Sequence, residues 1–404
     1  MKWEETEFEN LYAVPSRNGL TRPARVRGTG HKMINMGELF AHDRIGDIDM
    51  ELVPMSEKEM ATMFVEPGDL LFARQSLVLS GAGKCSIVLS ADTPTTFESH
   101  IIRVRLNQQM ADPIFYYYYF RSPTCRIRSI VIQGVQAGIR GNDLRKLRVH
   151  VPGIADQRHI ASILSPYDDL IENNRRRIHL LEEAARLLYR EWFVHLRFPG
   201  HEHVRVVDGV PEGWERAILP DVIDVNPKTS IEKGREIWYV PMSALSETGM
   251  TADIGNFERR TKHTSVRFRR YDVLLARITP CLENGKTGFV YFLRDDELAC
   301  GSTEFIVLRG KRVSPFFTYC LARSYPFREN AIKSMIGSSG RQRVQVSCFD
   351  EYDVPLPPKR LLDMFDDIVS KNFEQIQVLM SQNDNLAQAR DLLLPRLMNG
   401  EIAV

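Results

Sequence analysis

The feature that most constrains this chain is that it is written twice. Asp69-Leu-Leu-Phe-Ala-Arg74 returns as Asp272-Val-Leu-Leu-Ala-Arg277, an offset of 203 residues in a chain of 404. Each copy continues into a Gly-Lys pair and an apolar run, Gly83-Lys84 to Val88 and Gly285-Lys286 to Val290. Pro113-Ile-Phe ahead of Arg121-Ser122 is answered by Pro315-Phe-Phe ahead of Arg323-Ser324. A glycine-rich segment with arginine (Gly134 to Arg140, Gly337 to Arg343) precedes Val151-Pro152 in one copy and Val354-Pro355 in the other. A period this long is no solenoid repeat, so the chain is predicted to be a tandem duplication of one large unit.

The two parts of each unit differ in kind. The first part carries short β-branched and aromatic runs bounded by Gly, Pro and Asp, such as Ser86 to Leu89, Ile101 to Val104 and Glu304 to Leu308. These read as strands, and the segments opening at Pro113 and Pro315 read as helices, giving a mixed α+β globule. In the second part glycine and proline nearly vanish, and apolar residues recur at steps of four and three. The first stripe is Ile160, Leu164, Tyr167, Ile171, Asn174, Ile178, Leu181, Ala185, Leu188 and Trp192. The second is Leu361, Phe365, Ile368, Leu379, Leu386, Ala389 and Leu393, with Phe373 and Ile376 able to join it after a small rotation. A helix of 35–40 residues with one apolar stripe needs a partner, and the nearest is the other copy, as an antiparallel two-helix coiled coil with pseudo-twofold symmetry. Ser165-Pro166 ahead of Asp168 and Asp169 is a helix-start signal, so a restart or kink is expected there. Asn174 in the seam either fixes register or is tolerated at a wet position.

Composition enters through charge. The net charge of +1 conceals two mildly basic globules, +2 over 1–155 and +3 over 213–358, and two helical segments of −2 each. That permits a nucleic-acid partner without requiring one. The six cysteines never fall in C-x-x-C spacing, so they are expected to be reduced thiols without a structural metal. Met1-Lys2-Trp3-Glu4-Glu5 is not the start of a signal peptide, and no apolar run is long enough for a membrane span, so a cytoplasmic protein is expected. Catalytic motifs are missing. The Gly-Lys pairs lack the earlier glycine of a phosphate-binding loop, with Val78 and Pro280 in its place. Pro220-Asp221 with Glu232-Lys233 lacks nuclease spacing, Asn226-Pro227-Lys228 is too degenerate for an amino-methyltransferase, and His201-Glu202-His203 sits in a loop. No enzyme activity and no metal site is therefore expected of the chain itself.

Two basic globules with two heptad helices, in duplicate, resemble the specificity subunit of type I restriction–modification systems. The resemblance is most specific at Ala155-Asp-Gln157-Arg-His-Ile160, at Asp168-Asp169-Leu-Ile171-Glu-Asn173-Asn174, and at Glu191-Trp192-Phe193. Val210-Pro-Glu-Gly-Trp214 and Val354-Pro-Leu-Pro-Pro358 match the starts of the second globule and the distal helix. The resemblance implies target recognition domains at 1–154 and 213–358, spacer helices at 155–196 and 359–404, and a linker at 197–212. It also implies double-stranded DNA as ligand, read as a split site, and two methyltransferase subunits carrying S-adenosylmethionine, joined by restriction–translocase subunits. The chain itself would bind no cofactor and no membrane.

Candidate DNA contacts are the features that recur at matched places. They are Arg74, Gln75 and Arg277 after a strand; Lys84 and Lys286 in Gly-flanked turns; Gln136, Gly138 and Arg140 in one glycine-rich segment; and Ser338, Ser339, Gly340, Arg341, Gln342 and Arg343 in the other. Arginine reads guanine bidentately, glutamine reads adenine, and glycine lets the backbone approach. Solvated surface loops are the plain alternative. The ring-rich run Phe115 to Phe120 is expected to pack in the core rather than stack on bases, because its counterpart Phe316 to Cys320 lacks it. Two other readings stay open: a coiled-coil scaffold that binds only proteins, and a recognition subunit of a methylation or phage-defence system without a nuclease.

Overall fold

The computed structural model describes residues 3–402 apart from 233, 263, 264 and 339. The chain divides into two compact units, Met1–Ile171 with Asp384–Val404, and Glu172–Asn383. In the first unit the strands are β1 (Glu4–Glu7), β2 (Tyr12–Asn18), β3 (Leu70–Ala73), β4 (Gln75–Ser76), β5 (Cys85–Val88), β6 (Ile101–Leu106), β7 (Ile132–Gln133), β8 (Ala137–Gly138) and β9 (Arg148–Val151). Its short helix α1 is Pro113–Arg121, and the long helix α2 is Ile154–Tyr189. The main sheet runs β2-β6-β3-β5, with Arg44–Ile45 added in parallel at the edge. The second unit holds β10 (Glu215–Ile218), β11 (Ile223–Val225), β12 (Val273–Ala276), β13 (Thr287–Phe289), β14 (Phe305–Gly310), α3 (Pro315–Arg323), β15 (Asp353–Leu356) and the long helix α4 (Lys359–Met398). Its sheet runs β11-β14-β12-β13.

The repetition reaches the level of register. Ile101 pairs with Ala73 and Val104 with Leu70, just as Phe305 pairs with Ala276 and Leu308 with Val273. Both central strands are buried on both faces, and the two-residue period sorts their side chains. Leu70 and Phe72 face the rings of α1, whereas Leu71 and Ala73 face a second core with Ile34 and Phe97. In the other unit Val273 and Leu275 face α3, and Leu274 faces the core with Val240 and Phe268. Trp3 and Trp214 each immediately precede the strand that pairs with the exit strand, β1 with β9 and β10 with β15.

A buried ion pair recurs with the sheet. Asp69 accepts from Arg105 Nε at 2.7 Å and Nη2 at 2.8 Å; Asp272 accepts from the same two nitrogens of Arg309, both at 2.7 Å. Two-toothed geometry compensates the cost of dehydrating a carboxylate that is 0% or 1% exposed. The repeated Asp at the head of each matched motif is thus the anchor of a strand, not a surface residue.

The long helices pair antiparallel within each unit. In the first, Ile160 and Leu164 share a core with Leu394, Leu397 and Met398, and Asp168 meets Arg390. In the second, Asn174 Nδ2 donates to Asn383 Oδ1 at 3.0 Å, Asn372 Nδ2 to the Leu181 carbonyl at 3.3 Å, and Phe365 packs on Trp192 and Phe193. Numbers rise along α2 as they fall along α4. Ile171, Ile178, Ala185 and Leu379 are buried along the stripe, while Leu181, Leu188, Leu386 and Leu393 are half-buried at its margins. Ile368 departs from expectation: it is 47% exposed, and Val369, Phe373 and Ile376 fill the seam. At 3.6 residues per turn a strict heptad drifts, and an element held by a bulky Phe365–Phe373 pair rotates to bury the rings. Nor does α2 restart at Ser165-Pro166; the helix passes through Pro166, flanked by the buried Leu164 and Asp168.

Each globule also grips α2 through a tyrosine. Tyr118 Oη donates to Asp168 Oδ2 and Tyr319 Oη to Glu182 Oε1, both at 2.6 Å. All of Phe115 to Phe120 is buried, so the ring run is core. Gln157, fully buried, accepts from the Asp112 N–H at 2.8 Å and donates to the carbonyls of Pro152 and Met110. Residues 197–212 contain a short hairpin, Val206–Val207 against Val210–Pro211, and Phe198 is buried in the second unit's core.

Candidate nucleic-acid interface

The glycine-rich segments are hairpins set against the end of the central strand. In the first unit β4 continues from β3, β8 pairs with β4, and β7 pairs with β8. The Ile139 N–H donates to the Arg74 carbonyl at 2.9 Å. Gly138 allows that approach, because a Cβ there would stand 2.9 Å from the same oxygen. The turn projects Gln133, Val135 and Gln136 into solvent, and Arg140 is exposed at the mouth of the following helical turn. Below the hairpin lies an open cleft of about 460 Å³ walled by Phe40, Leu77 and Val78 and rimmed by Gln75, Gln136 and His100.

The second unit repeats the arrangement with different chemistry. Val344 N–H donates to the Arg277 carbonyl at 2.8 Å, and Arg343 bridges both Ile278 and Ile336. These three bridged residues occupy the places of β4, β8 and β7. Gln342 is tied through its main chain to Thr279, whose Oγ1 accepts from it at 2.8 Å. Ser338, Gly340 and Arg341 are exposed at the turn; Ser339 lies outside the described residues. Arg277 is half-buried, donates to the Val344 carbonyl at 3.3 Å, and lines an open cleft of about 490 Å³ with Asn226, Lys228 and Arg267.

Three of the sequence candidates are otherwise engaged. Lys84 turns inward, its Nζ 2.8 Å from the Phe40 carbonyl and 3.0 Å from Asp43. Lys286 does likewise, toward the Met242 carbonyl at 3.4 Å and Glu247 at 3.9 Å. The left-handed Gly83 and Gly285 (φ +76° and +90°) fold each turn back onto the globule, so both lysines tie the turn to it. Arg343 is clamped on Glu304, with Nε at 3.0 Å and Nη2 at 2.8 Å. Arg74 reaches only the Ser99 carbonyl, at 3.5 Å. Among the described residues Arg140 and Arg341 have no ion-pair partner. Asp43 sits between two cations. Burial pushes its carboxyl up, but the hydrogen bonds and charges of Arg121 and Lys84 outweigh that and hold it down to about 2.

Sequence reasoning missed a second basic surface. Arg259 stacks on Trp238 at 3.7 Å from the ring centroid and Arg260 on Tyr239 at 3.3 Å, on adjacent paired strands. The adjacent pairs Trp238-Tyr239 and Arg259-Arg260 were the available signal. Among the described residues no group of His, Cys, Asp and Glu could hold a metal ion. All six cysteines are free thiols, and among the described residues no helix is long and apolar enough to cross a membrane.

Comparison with known proteins agrees with this architecture. The family "Type I restriction modification DNA specificity domain" matches residues 63–183. The MjaIX specificity subunit of a type I restriction enzyme from Methanocaldococcus jannaschii is 23% identical over 83% of this chain and 79% of its own. The EcoEI specificity subunit of Escherichia coli is 32% identical over 37% of this chain, which spans only 26% of that protein. The crystal structure of the type I restriction–modification S subunit from M. genitalium shares the fold, with a TM-score of 0.54 at 13% identity over 98% of this chain and 96% of that one. The matched domain and the likeness along most of the chain make this protein similar to type I restriction–modification specificity subunits, and the solved S subunit shares its fold.

Proposed function

We propose that this chain is the non-catalytic DNA-reading subunit of a type I restriction–modification complex, each unit docking on one half of a bipartite double-stranded site. The observation that carries this reading is the hairpin repeated at the same place beside the same strand in both units, with the same backbone frame and different exposed side chains. Common frame with divergent tips is what two readers of unlike half-sites require. The paired helices serve as spacer and as platform for two methyltransferase subunits, which supply S-adenosylmethionine, with restriction–translocase subunits completing the enzyme in the cytoplasm. Exposed leucines on α2, Leu180 and Leu187, one heptad apart, offer such a platform an apolar stripe.

Footprinting of the purified complex is expected to show two protected half-sites with a fixed gap, and methylation profiling of host DNA the same split motif. A single contiguous footprint rejects the bipartite reading. DNA affinity unchanged by Arg140→Ala together with Arg341→Ala favours a scaffold that binds only proteins.

A further inference from the structure

The cleft under the first unit's hairpin has a composition that the rest of the interface does not. Leu77 is 86% exposed, and Val78 and Leu79 are more than half exposed. An apolar loop this open is normally mobile, yet here it is pinned. Arg128 donates to the Ser80 carbonyl at 2.8 Å and the Ala82 carbonyl at 3.0 Å, and the Val78 N–H donates to Ser76 Oγ at 3.2 Å. Gly81 lies so close to Ser76 and Phe40 that a Cβ would stand 2.3 Å from Ser76 Oγ. The chain thus holds leucine and valine side chains in water by design of the turn, at a cost in hydration that only a partner recovers.

The rim says which partner. Two glutamines, Gln75 and Gln136, and His100 edge the apolar wall, and no acidic residue lines the cleft. Arg74 and the exposed Arg140 flank it on the same strand and hairpin. A carboxamide beside an aliphatic wall matches the major-groove edge of one base pair: the amide pairs with adenine N6 and N7, and the wall meets the thymine methyl. The second unit is built differently here. Ile278 stands in the place of Gln75, followed by Thr279 and Pro280 instead of an aliphatic loop, and its turn presents Arg341.

We propose that the Leu77–Val78 wall and the Gln75–Gln136 rim form the specificity-determining site of the first unit, and that they read an adenine–thymine pair through its thymine methyl group and adenine edge. This rests on the DNA-reading function above and assigns a base class to one half-site.

The test uses the complete complex of this chain with its methyltransferase subunits. Its ligands are synthetic duplexes carrying the motif found by methylation profiling, with each thymine in turn replaced by deoxyuridine. Removing the methyl at one position of one half-site should weaken binding about fourfold, the cost of one buried carbon group. Leu77→Ser with Val78→Thr should abolish the distinction between thymine and deoxyuridine there, read as the ratio of the two affinities. Gln136→Ala should lower the preference for adenine in the same half-site about tenfold, within the range of a bidentate contact, so the proposal does not hang on the loop variant alone. If the wild-type complex binds a split site and no deoxyuridine weakens it, or if the distinction survives the loop change, the inference is wrong while the DNA-reading function stands. A complex that binds no split site overturns both.

Discussion

Asp69 and Asp272 show how much a single residue settles here. Each is buried at the head of a central strand and held two-toothed by Arg105 or Arg309. Replacing Asp69 with Ala strips two charged hydrogen bonds from Arg105 and leaves its guanidinium to Glu66 and the Phe64 carbonyl, so chemical denaturation should show a loss of about 3 kcal/mol. Asp272→Ala should cost about the same, since burial and geometry repeat. The lysines of the Gly-Lys turns hold internal contacts of the same kind. Lys84→Gln should leave the DNA affinity of the complex unchanged and lower stability by less than about 1 kcal/mol. Arg140→Gln and Arg341→Gln should each weaken DNA binding about tenfold at fixed salt without moving the unfolding midpoint. Asp43 adds a pH signature. Its folded value lies below the unfolded 3.8, so its stabilisation is complete above 3.8 and fades as pH falls through about 2. Denaturation of Asp43→Asn should therefore differ from wild type at neutral pH and converge with it in strong acid.

At the scale of the element, the long helices were legible because their signal is local. Heptad spacing and the loss of glycine and proline over 36 and 40 residues define α2 and α4 without knowledge of any partner. What the spacing does not define is rotation, which depends on the rings contributed by the globule against which the helix packs. Phe373 is buried against Phe289, Phe316 and Tyr319, and that packing turns Ile368 outward. Phe373→Ala should cost about 3–5 kcal/mol, and Ile368→Ala less than about 0.5 kcal/mol, by thermal or chemical denaturation. The hairpins were visible only as glycine and arginine clusters. Their strand partners lie more than 60 residues earlier in sequence, Ser76 for Ala137 and Thr279 for Gln342, beyond the reach of local patterning. The same distance hid the engagement of Lys84, whose acceptor at Phe40 is 44 residues away.

At the scale of the whole molecule, duplication explains both what repeats and what does not. Features that hold a unit together recur: the central register, the Asp–Arg pair, the inward lysine, the tyrosine on α2. Features that face outward diverge, as Gln136 against Arg341 and Leu77 against Pro280. The first set holds each fold together, and the second is free to differ, as the proposed reading of two unlike half-sites requires. The face of α2 turned away from α4 is outward too, yet in the second unit it carries Leu180 and Leu187, both about half exposed. Neither supports the core, so replacing both with Asp should leave the unfolding midpoint within about 0.5 kcal/mol of wild type. If methyltransferase subunits seat on that stripe, two buried carboxylates without partners would cost several kcal/mol and the complex should no longer co-purify. Deleting the helix would not answer the question, because Glu182, Tyr189 and Trp192 on its other face build the unit itself. Co-purification that survives the double Asp change would move the platform to another surface while leaving the two readers intact.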